Sequence, residues 1–240
     1  MPPIRVRRAD VVPADAVVPR LTRGERARVD RAAPADRDAV ATSLLLARLA
    51  VAEACEVDPG TVRVRRRCPR CGSAAHGVPL ADRADGGPVP RLSLSRGGDL
   101  VVVALSDAGA VGVDVEPVHP VGEEPRARHD GLAGVVLAPG EPPADGAHGL
   151  LRTWARTEAV LKAAGTGLAV DPRALRVSDA AGRPQVQVVD PAAAAALTPA
   201  PGTRWWLTDL DVGADHVAAL ATLPPSSAPP ELDDGTLHLP

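Results

Sequence analysis

Near the middle of the chain, LVVVAL (100–105) is a continuous apolar run of about one strand's length, and the short turn SDAGA returns it into VGVDVEPV (111–118). An uninterrupted apolar run suits a central strand buried on both faces. Two strands joined by a few turn residues read as a hairpin. This feature therefore demands a sheet at the centre of the fold and helices to cover it. The covering layer has to be built without large rings, because the sequence holds no Phe, no Tyr and only three Trp. Val, Ala and Leu must fill the interior, and each Trp carries unusual weight, since an aromatic ring buries roughly 150–250 Å².

On either side of that centre the patterning alternates between helix and strand. Residues 1–20 read as extended, with Pro13 and Pro19 breaking any helix. From Gly24 to Val57 the period is helical, with Val40, Leu44, Leu45, Leu49 and Val51 or Ala52 on one buried face, and Asp58-Pro59-Gly60 closing it. TVRVRRR (61–67) alternates as a strand should, 81–90 reads as a Gly/Pro loop, and RLSLS (91–95) alternates again. Residues 117–150 are Pro/Gly-rich, with LAGVVL as the only apolar patch, and a helix follows over Arg152–Leu168. Strands are predicted near 174–178, 185–189, 204–210 and 215–222. Adjacent Trp205 and Trp206 should face opposite sides, one in the core and the other as an exposed platform or a lid over a partner helix. The order helix-then-strands occurs twice, which predicts two α+β halves, 1–108 and 109–223. The Pro/Ser/Asp-rich tail 224–240 is expected to be disordered.

The formal net charge of −3 is too close to neutral to favour nucleic acid or a membrane surface by bulk electrostatics. No run of about 18 apolar residues is present, and the basic start MPPIRVRRAD lacks an apolar stretch behind it. Three cysteines are an odd, sparse set for a disulfide scaffold. A cytoplasmic protein is the expectation. Cys68-x2-Cys71 invites a zinc site completed by His76 and Cys55, but no second CxxC exists, and His76 reads first as a loop hydrogen-bonder.

Chemistry is concentrated in two segments. In VGVDVE the strand period of two puts Val111, Val113 and Val115 on one face and Gly112, Asp114 and Glu116 on the other. Carboxylates at i and i+2 stand about 6–7 Å apart at Cβ. Such a pair is either a solvated acidic edge or a grip on one cation. In RTWARTEAVLKAAGTGL, Trp154, Glu158 and Lys162 fall at i, i+4 and i+8 along one helical stripe, with Gly165 and Gly167 as stop signals. Lys162 is the only lysine among 27 basic residues, which suggests a position wanting a compact point charge rather than a planar fork. Oxygen-only donors suit Mg²⁺, which keeps waters and is completed by substrate phosphates. Glu158 as a third ligand beside Lys162 describes a Mg²⁺ site for a pyrophosphate-containing substrate.

VGVDVE followed some 40 residues later by WARTEAVLKAAGTGL resembles the surfactin-synthetase type of 4′-phosphopantetheinyl transferases, with their (V/I)G(V/I)DxE strand and WxxKExxxK helix. CPRCGSAAHGVPL (68–80) resembles the CxxCG…HGKP segment of actinobacterial members, and RLSLSRGGDLVVVAL (91–105) their SLSHS strand pair. The resemblance implies an α+β, pseudo-dimeric fold, each half a small antiparallel sheet packed on a long helix, with coenzyme A in the cleft between halves. It implies transfer of the phosphopantetheine arm of coenzyme A to a serine of an acyl or peptidyl carrier protein, by a monomer, with release of 3′,5′-ADP. Asp114, Glu116 and Glu158 would hold Mg²⁺, Glu158 would serve as base, Lys162 would bind phosphate, and Trp154 would pack the helix on the core. Ser95 and Arg96 would contact coenzyme A, and Arg26, Arg28 and Arg37 sit where the family places cations for its 3′-phosphate.

The sequence departs from that pattern at three positions. Thr157 stands where the helix motif has Lys, with Arg156 beside it as a substitute charge; Arg96 replaces His; and Val78 replaces a basic residue. Each lost phosphate contact costs about 1.5–3 kcal/mol. Two alternatives follow: a relative that binds coenzyme A or a carrier protein without turnover, and a zinc-stabilised interaction protein.

Overall fold

The computed structural model describes residues 3–118, 125–144, 146, 148–178, 184–198, 200, 203–223 and 231–239. The chain divides into two compact units, Met1–Ala108 with Glu231–Pro240, and Gly109–Pro230. Each is a sheet packed on a helix, an α+β arrangement.

In the first unit, β1 (Ile4–Asp10) is followed by α1 (Ala14–Val17), α2 (Arg23–Asp30) and the 19-residue α3 (Arg37–Cys55). Then come β2 (Val62–Arg67), β3 (Val78–Arg83), β4 (Arg91–Gly97) and β5 (Leu100–Ser106). Helix α2 starts on a capping box: Glu25 N–H donates to Thr22 Oγ1 at 3.3 Å, and Thr22 N–H to Glu25 Oε2 at 2.7 Å. Helix α3 is buried on more than the one face its period suggested. Leu46, Ala47, Ala50 and Val51 pack on Val101, Val103 and Leu105 of the sheet, while Val40, Ala41, Leu44 and Leu45 pack on Val17, Leu21 and Val29. A helix covered on both sides has little solvent face left to carry polar residues.

The second unit runs through β6 (Ala110–Pro117), α4 (Pro125–Val136), α5 (Gly149–Ala164), β7 (Leu175–Arg176), β8 (Gln187–Val188), α6 (Ala194–Leu197), β9 (Trp206–Leu210) and β10 (His216–Leu223). Its main sheet is antiparallel in the order β6-β10-β9, and β7 and β8 form a separate pair. Helix α5 closes on Gly165 at φ 73°, whose N–H reaches the carbonyls of Leu161 and Lys162. Ala155, Ala159 and Ala163 of α5 join Val217, Ala219 and Ala221 of β10 and Leu175 and Val177 in one core. Trp205 packs on this core and donates its Nε1–H to the Leu197 carbonyl, while Trp206 is half-buried rather than an exposed platform.

Four expectations need correction. The central hairpin does not form. β5 already pairs with β1 on one edge and β4 on the other, and β6 pairs with β10, so the SDAGA turn links two sheets instead of two neighbours. The tail is not disordered throughout: β11 (Leu232–Thr236) pairs with β1 in parallel, Arg7 donates to Asp233 at 3.0 Å, and Leu237 and Leu239 pack on the core. Residues 224–230 of that tail lie outside the described residues. The first sheet, ordered β11-β1-β5-β4, is therefore mixed rather than purely antiparallel. Strand β3 extends into the expected 81–90 loop because Ala81, Asp82 and Arg83 pair with Val64, Arg63 and Val62. Among the described residues no helix is long and apolar enough to cross a membrane.

Candidate active site

Glycine at 112 sets how closely the helix and sheet of the second unit can approach. A Cβ there would lie 2.0 Å from the Ala159 carbonyl oxygen and 2.4 Å from the Ala163 nitrogen. The α5 backbone thus rests directly on β6, and the alternation of the strand puts Asp114 and Glu116 on the face that Gly112 opens. The three stripes of α5 divide the work. Ala155, Ala159 and Ala163 make the contact with the sheet; Trp154, Glu158 and Lys162 look toward the β6 carboxylates; Arg152 and Arg156 reach Asp209 on β9.

Asp114 is 3 % exposed, and its Oδ1 accepts from Lys162 Nζ at 2.6 Å. Glu116 Oε1 accepts from the Trp154 indole N–H at 2.9 Å. Glu158 stands between Trp154 and Lys162 along the stripe, and its Oε1 is buried without a hydrogen-bond partner. Burial first, then the charges of Asp114 and Glu116, push its carboxyl up to about 7, against the pull of Lys162. Three carboxylates repelling one another around a buried, unsatisfied oxygen form a donor set suited to a hard divalent cation. The trio is open: among the described residues, the only His/Cys/Asp/Glu group with ligand atoms all within 4.8 Å is Cys68, Cys71 and His76.

Two pairings were not foreseen. Trp154 orients Glu116 in addition to packing, and Lys162 holds Asp114, whereas sequence reading gave it to a phosphate. Arg156 does not stand in for the missing motif lysine. It is 2 % exposed, and its Nε and Nη2 both bond Asp209 at 2.8 Å, while Thr157 is fully buried. The fork clamps α5 to β9.

In the first unit, Arg28 and Arg96 line one pocket together with Arg66, Ser43, Val64 and Leu94. Burial and the charges of Arg28 and Arg96 bring the Arg66 guanidinium down to about 10, and its Nε is buried without a partner. Arg28 is lowered for the same reasons, burial and then Arg96 and Arg31. The other expected cations are elsewhere. Arg26 is exposed and donates to the Leu21 carbonyl at 2.9 Å, and Arg37 is exposed outside the pocket lining. Ser95 is buried on the opposite face of β4 from Leu94 and Arg96, as alternation requires. Arg66 was missed, although the same alternation in TVRVRRR places it with Val64.

No curated protein matches the chain significantly. Residues 110–221 match the family model of the 4′-phosphopantetheinyl transferase superfamily, a span running from the first residue of β6 almost to the end of β10. The segment carrying Asp114, Glu116, Glu158 and Lys162 is therefore a domain of the 4′-phosphopantetheinyl transferase superfamily.

Proposed function

We propose that the protein transfers the 4′-phosphopantetheine arm of coenzyme A to a serine of an apo acyl or peptidyl carrier protein, releasing 3′,5′-ADP, with Mg²⁺ held by Asp114, Glu116 and Glu158. The observation that carries this reading is the convergence of three carboxylates and one ammonium on the face opened by Gly112, within the span matching the superfamily. When bound, Mg²⁺ neutralises the diphosphate and makes its phosphorus more electrophilic. Glu158 accepts the proton of the attacking serine hydroxyl. Lys162 orients Asp114 through its ammonium and would stabilise negative charge building on the leaving phosphate. Trp154 fixes the Glu116 carboxylate through its indole N–H. Arg28, Arg66 and Arg96 form a phosphate-ready pocket of the first unit, where an anion would relieve their mutual repulsion.

Incubating apo carrier protein with coenzyme A, Mg²⁺ and the protein should add about 340 Da to the carrier's intact mass, one phosphopantetheine each. No gain with two unrelated carriers would refute the assignment. A second reading, binding without turnover, draws on Arg156 and Thr157: the cation absent at 157 is not replaced, because Arg156 is committed to Asp209. Calorimetric binding of coenzyme A with no mass gain would select it.

A further inference from the structure

The loop joining β2 to β3 gathers, among the described residues, the one Cys/His cluster whose ligand atoms lie close together, and none of its members takes part in the chemistry above. Cys68 follows β2 directly. Its carbonyl accepts from Gly72 N–H at 2.9 Å, and its N–H donates to the Ser73 carbonyl at 2.9 Å, closing a tight knuckle with Gly72 at φ +71°. Gly77, at φ +99°, lies so close that a Cβ would fall 2.4 Å from Cys68 Cα and 2.5 Å from the Arg67 carbonyl oxygen. Only glycine permits that approach, and it brings His76 back onto the knuckle. Cys71 Sγ and His76 Nε2 are 3.4 Å apart, and one ligand atom from each of Cys68, Cys71 and His76 lies within 4.8 Å of the others.

The Cys71–His76 spacing is that of two ligands of one tetrahedral ion. With Zn–S near 2.3 Å and Zn–N near 2.0 Å, ligand sulfur and nitrogen should stand about 3.5 Å apart. All three cysteines are free thiols. Cys55, the fourth ligand considered from sequence, stands apart and donates to the Pro88 carbonyl at 3.8 Å.

We propose that Cys68, Cys71 and His76 bind one thiophilic divalent metal, zinc by preference, at the tip of the β2–β3 hairpin. Two sulfurs and an imidazole select against Mg²⁺, so this site is chemically separate from the carboxylates of the second unit. Three protein ligands leave a fourth position for water, which makes the ion removable by chelators. The metal also fixes the loop whose Gly77 carbonyl accepts from Arg66 Nη1 at 2.9 Å, and so stiffens one wall of the arginine pocket.

The test is titration of the reduced, metal-stripped full-length protein with Co²⁺. One equivalent should produce thiolate-to-cobalt absorption near ~350 nm and visible bands in the ~600–750 nm range, displaced by one equivalent of Zn²⁺. Cys71→Ser should halve the charge-transfer intensity and His76→Ala should weaken Co²⁺ binding at least about 10-fold, whereas Cys55→Ser and Glu158→Gln should leave the spectrum unchanged. On the unmutated protein, Zn²⁺ should slow alkylation of Cys71, a readout independent of whether any variant folds. Absence of the thiolate band, a spectrum indifferent to Cys71→Ser, or alkylation unaffected by Zn²⁺ would each overturn the site.

Discussion

Asp114, Glu116 and Glu158 in the second unit and Arg28, Arg66 and Arg96 in the first are both clusters of a single sign, and in each a buried member is shifted in the direction that discharges it. Glu158 rises to about 7, and Arg66 falls to about 10. The supports differ. The acidic cluster has a cation of its own, Lys162 on Asp114, and an indole on Glu116. It is assembled from one strand and one helix locked by Gly112 and by the Arg156–Asp209 fork. The arginines come from α2, β2 and β4, and at Arg96 burial outweighs the opposing charge of Asp36. The first cluster is braced as chemistry requires, with geometry fixed before a substrate arrives. The second is suited to holding an anion, whose binding is what makes the crowding tolerable.

The sharpest way to break this contrast is Glu158→Gln. Transfer should fall by about 10²–10⁴ while the circular dichroism spectrum stays that of the unmutated protein; a normal rate would remove Glu158 from the mechanism. Gly112→Ala attacks the bracing instead. Its Cβ meets backbone atoms of α5, which cannot swing aside, so thermal unfolding should report a loss of about 2–3 kcal/mol together with reduced transfer. A variant as stable as the parent would mean α5 is not seated on β6.

The arginine pocket predicts smaller effects confined to affinity. Arg66→Gln should weaken coenzyme A binding about 10-fold by calorimetry, with kcat at saturation nearly unchanged. A fall in kcat with affinity intact would place Arg66 in the chemistry. Smallest of all is Arg37→Gln, which should change affinity by less than about 2-fold because Arg37 is exposed and outside the pocket lining. An effect as large as that of Arg66→Gln would erase the distinction the structure draws between the two.

The two clusters also differ in how far the sequence revealed them. Asp114, Glu116, Glu158 and Lys162 were legible because the periods of strand and helix alone fix which side chains share a face. What holds them was not. Trp154 with Glu116 spans 38 residues and Arg156 with Asp209 spans 53, and no local pattern encodes a partner at that distance. The arginine pocket was half legible for the same reason: Arg28 and Arg96 were named, but Arg66 arrives on a third element. The misplaced hairpin and the tail strand share one cause. LVVVAL reads as a central strand, and it is one, but its neighbours are β1 and β4, and β11 finds β1 across more than 220 residues. Pattern identifies a strand; it does not say which edge it joins.

Stability against pH, with and without Mg²⁺, tests whether the carboxylates of the second unit are a like-charge clash that a divalent cation relieves. A carboxyl raised in the folded state contributes stability that is complete below the ordinary value of 4.5 and is lost as pH climbs through about 7. Relative to Glu158→Gln, the unmutated protein without metal should therefore lose roughly 3 kcal/mol between about pH 4 and pH 8. Millimolar Mg²⁺ should restore much of this at pH 8 in the unmutated protein and little in Glu158→Gln. Parallel pH curves for the two proteins, or an equal Mg²⁺ response in both, would contradict the account.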